Sequence, residues 1–117
     1  LTRAAKLQRR AARVGFDWAE PEGAAEKVAE EAGELARAGT PEEVAGELGD
    51  LLFAVVNLAR MRGVDPEAAL RGTNAKFQRR FAFIEAALAE AGRRPEDATL
   101  AEMDALWDAA KEAERSG

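Results

Sequence analysis

The sequence predicts an all-α fold, an antiparallel bundle of about five helices. Three observations carry that expectation. Apolar residues recur at helical spacing in long runs, as at Phe77, Phe81, Ile84 and Leu88. Alternating runs of the kind a half-buried strand needs are absent, and β-branched residues are few. Turn and capping residues interrupt the periodic runs only briefly, so long helices follow one another through short connections and neighbours should run antiparallel.

Leu1 to about Val14 reads as a first helix, basic on its outside. Gly15 to Gly23 (GFDWAEPEG) is a loop with turn residues at both ends; its Phe16 and Trp18 are expected to sit on the core. Ala24 to Ala38 is a second helix, with Val28, Ala32 and Leu35 at i, i+4 and i+7. Thr40 is placed as N-cap of a third helix, with Pro41 at its first position and Glu43 completing a capping box. That helix runs to about Arg62 and closes at Gly63. Asp65-Pro66 caps a fourth, in which Gly72 marks a kink or a split. After a loop from Gly92 to Ala98, Thr99 and Glu102 form a second capping box opening a last helix with Met103, Leu106 and Trp107. The 117 residues suffice for one domain, 1–117, without a disulfide or metal staple.

Composition narrows the chemistry. There is no cysteine and no histidine. Disulfides, thiolate and imidazole zinc sites, cysteine nucleophiles and catalytic triads are therefore excluded, and any metal must be held by oxygen, which favours Mg²⁺, Mn²⁺ or Ca²⁺. The net charge of −5 argues against a nonspecific grip on nucleic acid. The longest apolar run, Leu51 to Val56, is too short to span a bilayer, and no signal peptide is visible; a cytoplasmic protein is the expectation.

The carboxylates are arranged. In EEVAGELGDLLFAVVNLA (42–59), Leu48, Leu51, Leu52, Val55, Val56, Leu58 and Ala59 share a broad arc at about 100° per residue, and Glu43, Glu47 and Asp50 share the remaining strip. An ordinary solvated face mixes signs, because like pairs at i,i+4 cost a few tenths of a kcal/mol. Here no lysine or arginine interrupts the acids, and the rest of the helix reads as buried. The second helix repeats the pattern with Glu31 and Glu34 at i,i+3 and Glu30 further outward. Two adjacent antiparallel helices would aim Glu31 with Glu34 and Glu47 with Asp50 at one space, where carboxylates without a counter-charge are costly and a hard cation is expected. A solvated acidic face is the bland alternative for either motif alone. On the fourth helix Lys76 and Arg80 lie one turn apart at the edge of the aromatic stripe; on the last, Lys111 follows Trp107 by one turn. Such cations commonly snorkel; the functional reading is that they hold phosphate oxygens, with Trp107 flanking a base or ribose.

The motifs EExxE at Glu30–Glu34 and ExxD at Glu47–Asp50, with the surrounding VGFDW, KVAEEAGEL, GELGDLLFAVVNLAR and NAKFQRRF, resemble the MazG nucleoside triphosphate pyrophosphohydrolases over essentially the whole chain. The likeness is greatest to the catalytic C-terminal half of the two-repeat proteins or to a single-domain relative. It implies an all-α NTP pyrophosphohydrolase fold that forms a homodimer or higher homo-oligomer, with Mg²⁺ or Mn²⁺, and hydrolysis of NTPs or dNTPs to the monophosphate and pyrophosphate. It implies that Glu31, Glu34, Glu47 and Asp50 ligate metal and that Lys76, Arg80, Trp107 and Lys111 line the nucleotide site. Water would attack the α-phosphorus with Glu30 or Glu34 nearby, while Lys76 and Arg80 stabilise the leaving pyrophosphate. Hydrolysis of dUTP, dCTP or phosphoribosyl-ATP within the same broad fold group, and a non-catalytic nucleotide-binding helical dimer, stay open on the sequence.

Overall fold

The computed structural model describes residues 1–116, and the fold is all-α, with no strand among them. Five α-helices follow in order: α1 (Thr2–Ala12), α2 (Pro21–Arg37), α3 (Pro41–Met61), α4 (Pro66–Glu90) and α5 (Leu100–Ser116), with a single 3-10 turn at Pro95–Asp97. The chain divides into two compact units, Leu1–Ala69 and Leu70–Gly117.

In the first unit α3 is the central element, flanked by α2 and α1. The α2–α3 pair is an antiparallel hairpin: Glu34 and Arg37 near the end of α2 share a cavity with Glu43 and Glu47 near the start of α3. Two prolines start these helices, as expected where the missing N–H is not needed. Helix α2 begins three residues before its expected start, at Pro21, because proline's fixed φ is already helical and Glu20 supplies the extended N-cap backbone. The Thr40 cap forms, with Glu43 N–H donating to Thr40 Oγ1 at 3.1 Å. The reciprocal half of that box is displaced: the Glu43 carboxylate accepts from Gly39 N–H at 3.0 Å, one residue earlier than the motif predicts. At α4, Asp65 Oδ1 accepts from Glu67 N–H at 3.0 Å. Helix α4 runs unbroken through Gly72, so the helix is not split there.

The core of this unit is built from small residues: Ala5, Ala24, Ala54 and Val56 are its buried apolar side chains. The expectation that the broad apolar arc of α3 is buried fails along its middle. Val44, Leu48, Leu52 and Val55 are each 41–45% exposed, and Phe53 is 46% exposed. Helix α3 meets α2 on the side that carries Glu47, and Ala54 on that side is buried, which leaves the middle of the arc open. Ala32, assigned to the inner stripe of α2, is likewise exposed, whereas Val28 and Leu35 are half-buried. Phe16 and Trp18 do not sit on the core either: Phe16 is 83% exposed and Trp18 43%. Their loop is held instead by Asp17, which accepts from Arg60 Nη1 at 3.0 Å and Nη2 at 2.6 Å.

The second unit holds the rest of α4, the 3-10 turn and α5. Ile84, Leu88 and Ala110 are buried. Phe77 and Phe81 stack one turn apart with centroids 5.9 Å apart, and Phe77 meets Trp107 of α5 at 5.6 Å, tilted by 46°. The expected Thr99–Glu102 box is complete: Glu102 N–H donates to Thr99 Oγ1 at 3.1 Å and Thr99 N–H to Glu102 Oε1 at 3.2 Å. Arg93 also reaches the Glu102 carboxylate and donates to Asp97 O at 2.7 Å, tying the connection to the start of α5.

Ile84→Ala should lower unfolding stability by about 2–5 kcal/mol, the usual cost of emptying a buried Ile site. Phe77→Ala should cost much less, since that ring is 55% exposed. Urea unfolding of the two variants beside the parent checks the contrast.

Candidate metal centre

The rigid α2–α3 hairpin carries the acids. On α2, Glu31 and Glu34 are separated by three residues and so lie on one side; on α3, Glu47 occupies the adjoining face. One carboxylate oxygen from each of Glu31, Glu34 and Glu47 lies within 4.8 Å of the others. Glu31 is buried, at 5% exposure, while Glu34 and Glu47 are half-buried.

Three of the four residues expected to ligate metal are thus brought together. Asp50 does not join that group: it lies one turn further along α3, exposed, and lines with Glu31 the cavity beside it. Glu30 points away, with its side chain 55% exposed. Lys76 and Arg80 on α4, and Trp107 and Lys111 on α5, belong to the second unit and are all half-buried. Arg80 is already engaged there. Its guanidinium stands 5.2 Å from the Trp107 ring centroid, and Nη2 donates to Glu114 Oε2 at 3.0 Å.

The acids are not wholly without a counter-charge. Lys27, one turn before Glu31, places Nζ 3.1 Å from Glu31 Oε1 and 3.4 Å from Glu30 Oε1. Its signal in the sequence is the i,i+4 spacing of Lys27 and Glu31 in KVAEE. Arg37 is a second cation nearby, sharing a cavity of about 280 Å³ with Glu34, Glu43 and Glu47. Neither satisfies the inner oxygens. Glu31 Oε2 and Glu47 Oε2 are both buried without a hydrogen-bond partner. Desolvation, then the neighbouring Glu34 and then Glu31, push the Glu47 carboxyl up to about 7. Two orphaned carboxylate oxygens among converging acids are the donor set a hard divalent cation requires, and no nitrogen or sulfur ligand competes for a softer metal.

A helical hairpin presenting clustered acids defines this protein as an all-α chain with a candidate divalent-metal centre. A model of the MazG nucleotide pyrophosphohydrolase domain matches residues 19–82, more than half of the chain, and the chain belongs to that family. It is 44% identical over 111 residues to the nucleoside triphosphate pyrophosphohydrolase/pyrophosphatase MazG of Thermotoga maritima, covering 95% of this chain and 44% of that protein. It is 41% identical over 119 residues to the nucleoside triphosphate pyrophosphohydrolase of Escherichia coli, covering 97% of this chain and 45% of that protein. Over 69 residues it is 52% identical to the protein YabN of Bacillus subtilis, covering 59% of this chain and 14% of that protein. The chain thus spans less than half the length of these curated relatives. No helix among the described residues is long and apolar enough to cross a membrane.

The raised Glu47 pKa has a stability consequence of definite sign. The proton is held more tightly in the folded state than at the unfolded value of 4.5, so this contribution is complete below about pH 4.5 and is lost as pH rises through about 7. In the metal-free protein, the Glu47 contribution should lower the melting temperature progressively from pH 5 to pH 8. Glu47→Gln should flatten that dependence. Glu102, held down to about 2 by Arg93 and the Thr99 amide, acts outside this window, its contribution being lost only as pH falls from 4.5 towards 2. Calorimetric melts across pH in the presence of a chelator test both ranges.

Proposed function

We propose that the chain is a Mg²⁺-dependent nucleoside triphosphate pyrophosphohydrolase that converts NTPs or dNTPs to monophosphates and pyrophosphate. The observation that carries this reading is the convergence of Glu31, Glu34 and Glu47, in a family member, around two buried carboxylate oxygens without partners. The names of the Thermotoga and Escherichia relatives support the reaction class. Glu31, Glu34 and Glu47 would hold the divalent ion, with Asp50 completing the set from the next turn of α3. Bound there, the ion supplies charge neutralisation for a substrate of about four negative charges and Lewis acidity toward water and phosphate. Glu34, or Glu30 at its outer side, orients the attacking water and accepts its proton. Lys76, Arg80 and Lys111 supply positive charge to the phosphates, and Trp107 contacts the nucleotide. The α-phosphorus–oxygen bond to the departing pyrophosphate breaks as the water oxygen bonds to phosphorus.

We also read the chain as self-associating. Val44, Leu48, Leu52 and Val55 form one exposed apolar stripe along α3, a face that a second copy would cover. Leu52→Lys should shift the sedimentation profile towards monomer. An unchanged oligomeric state in that variant, or a monomeric parent, would remove this reading.

Product analysis with a panel of NTPs and dNTPs plus Mg²⁺ tests the activity. Monophosphate and pyrophosphate are expected, and orthophosphate with diphosphate would contradict cleavage at the α-phosphorus. Glu34→Gln and Asp50→Asn should each lower kcat by at least about 10²-fold with the melting profile of the metal-free protein retained. Asp50→Asn with full Mg²⁺-dependent turnover would sink the ligand assignment.

A further inference from the structure

We propose that the cavity beside the acidic trio is a nucleobase pocket and that Gln8 is its specificity-determining residue; this rests on the nucleotide-hydrolase reading above. The cavity encloses about 560 Å³ between α1, the loop after it, α2 and α3, within the size range of small-molecule sites. Glu31 and Asp50 belong to its lining, so it adjoins the carboxylates that would hold the ion neutralising the phosphates. The remaining lining includes the aromatic side chains of Trp18 and Phe53, suited to the faces of a planar heterocycle.

Trp18 is held in place from two sides. Its backbone N–H donates to Asp17 Oδ1 at 2.9 Å, and Asp17 is clamped by Arg60 of α3. Gly23 gives its ring room: an added Cβ there would stand 3.2 Å from Trp18 Cε3. The exposed loop carrying Trp18 is therefore fastened to the helix that carries Glu47 and Asp50.

The polar groups of the lining are specific in what they offer. Gln8 is 6% exposed, and its Nε2 donates to Phe53 O at 2.9 Å. Only the amide nitrogen can donate to a carbonyl, so that bond fixes which way the amide faces. Gln8 Oε1 is then a buried acceptor with no partner. Arg60 donates through Nη1 and Nη2 to Asp17 and through Nη2 to Asn57 at 2.5 Å, while its buried Nε has no partner. Gln8 Oε1 and Arg60 Nε are thus an acceptor and a donor without partners on two residues of an aromatic-walled cavity, the two kinds of group that pair with a base edge. Buried polar groups are rarely left unmatched without reason. A site that pairs with an N–H rejects a base lacking it more strongly than an apolar slot rejects a change of size.

The test compares the parent with Gln8→Leu and Ala11→Leu across the common NTPs and dNTPs plus Mg²⁺, measuring kcat and KM separately. Gln8→Leu removes the acceptor; Ala11→Leu fills the cavity and leaves the Gln8–Phe53 bond intact. The parent should prefer some bases. In both variants kcat/KM for the preferred nucleotide should fall by at least about tenfold, chiefly through KM, with the base ranking flattened. The Mg²⁺-induced rise in melting temperature should persist. If Gln8→Leu fails to fold, Ala11→Leu decides. A parent indifferent to the base, or folded variants that keep its ranking and KM, overturns the proposal. If the parent hydrolyses no nucleotide, the hydrolase reading fails by itself, and equilibrium dialysis of the same nucleotides decides the pocket. Base-dependent binding lost in the variants supports it, and binding indifferent to base or variant overturns it.

Discussion

Three carboxylates held within one small volume are the constraint on which the rest of the first unit depends. Like charges at this spacing repel strongly once water is partly excluded. A flexible loop would relieve the repulsion by moving. The α2–α3 hairpin cannot, because Glu31, Glu34 and Glu47 sit on regular helices joined by a capped turn. The repulsion is therefore relieved chemically. Lys27 takes one oxygen of Glu31, and Glu47 retains a proton up to about pH 7. Both are placeholders of a kind a divalent ion can replace: the lysine by release, the proton by competition. A site arranged in this way gains affinity for metal as pH rises, since the proton it must displace is then already absent.

The same hairpin explains why the surface is so apolar. Ala24 and Ala54 are buried small residues of the two helices whose Glu31, Glu34 and Glu47 oxygens come within 4.8 Å of one another, while the large apolar residues of α3 stand outside. Leu48, Leu52 and Val55 stand exposed, although α3 is the central helix of its unit. The geometry that concentrates the acids and the geometry that exposes the apolar stripe are thus one arrangement, and a second copy covering that stripe would bury the side of α3 away from Glu47.

Local rules made most of the architecture legible. The five helices, the Thr40 and Thr99 caps and the adjacency of α2 and α3 all follow from capping chemistry, periodicity and short connections. The acidic trio was legible for the same reason, since helical spacing and one adjacency were enough to place it. What failed was burial. Periodicity tells which residues share a face, not whether anything covers that face, and the core does not reach the middle of the α3 arc or Phe16 and Trp18. The Asp17–Arg60 clamp joins residues 43 apart in sequence, and no local spacing announces such a pair. The Gln8–Phe53 bond is hidden likewise, because it uses a backbone carbonyl.

In the second unit, Arg80 shows how a candidate phosphate ligand is kept ready. An unpaired arginine beside an aromatic stripe would be free to adopt many rotamers. Here Trp107 supports the guanidinium and Glu114 pairs with it, pulling the Glu114 carboxyl below its ordinary pKa. Those contacts order the side chain before any ligand arrives, which reduces the entropy lost on binding. They also set a threshold. A phosphate taking the guanidinium must outcompete a carboxylate already there, so a singly charged anion gains little while a polyphosphate gains more. Were Arg80 to take a phosphate, discrimination by charge would reside in this ion pair, whose Glu114 no motif in the sequence singles out.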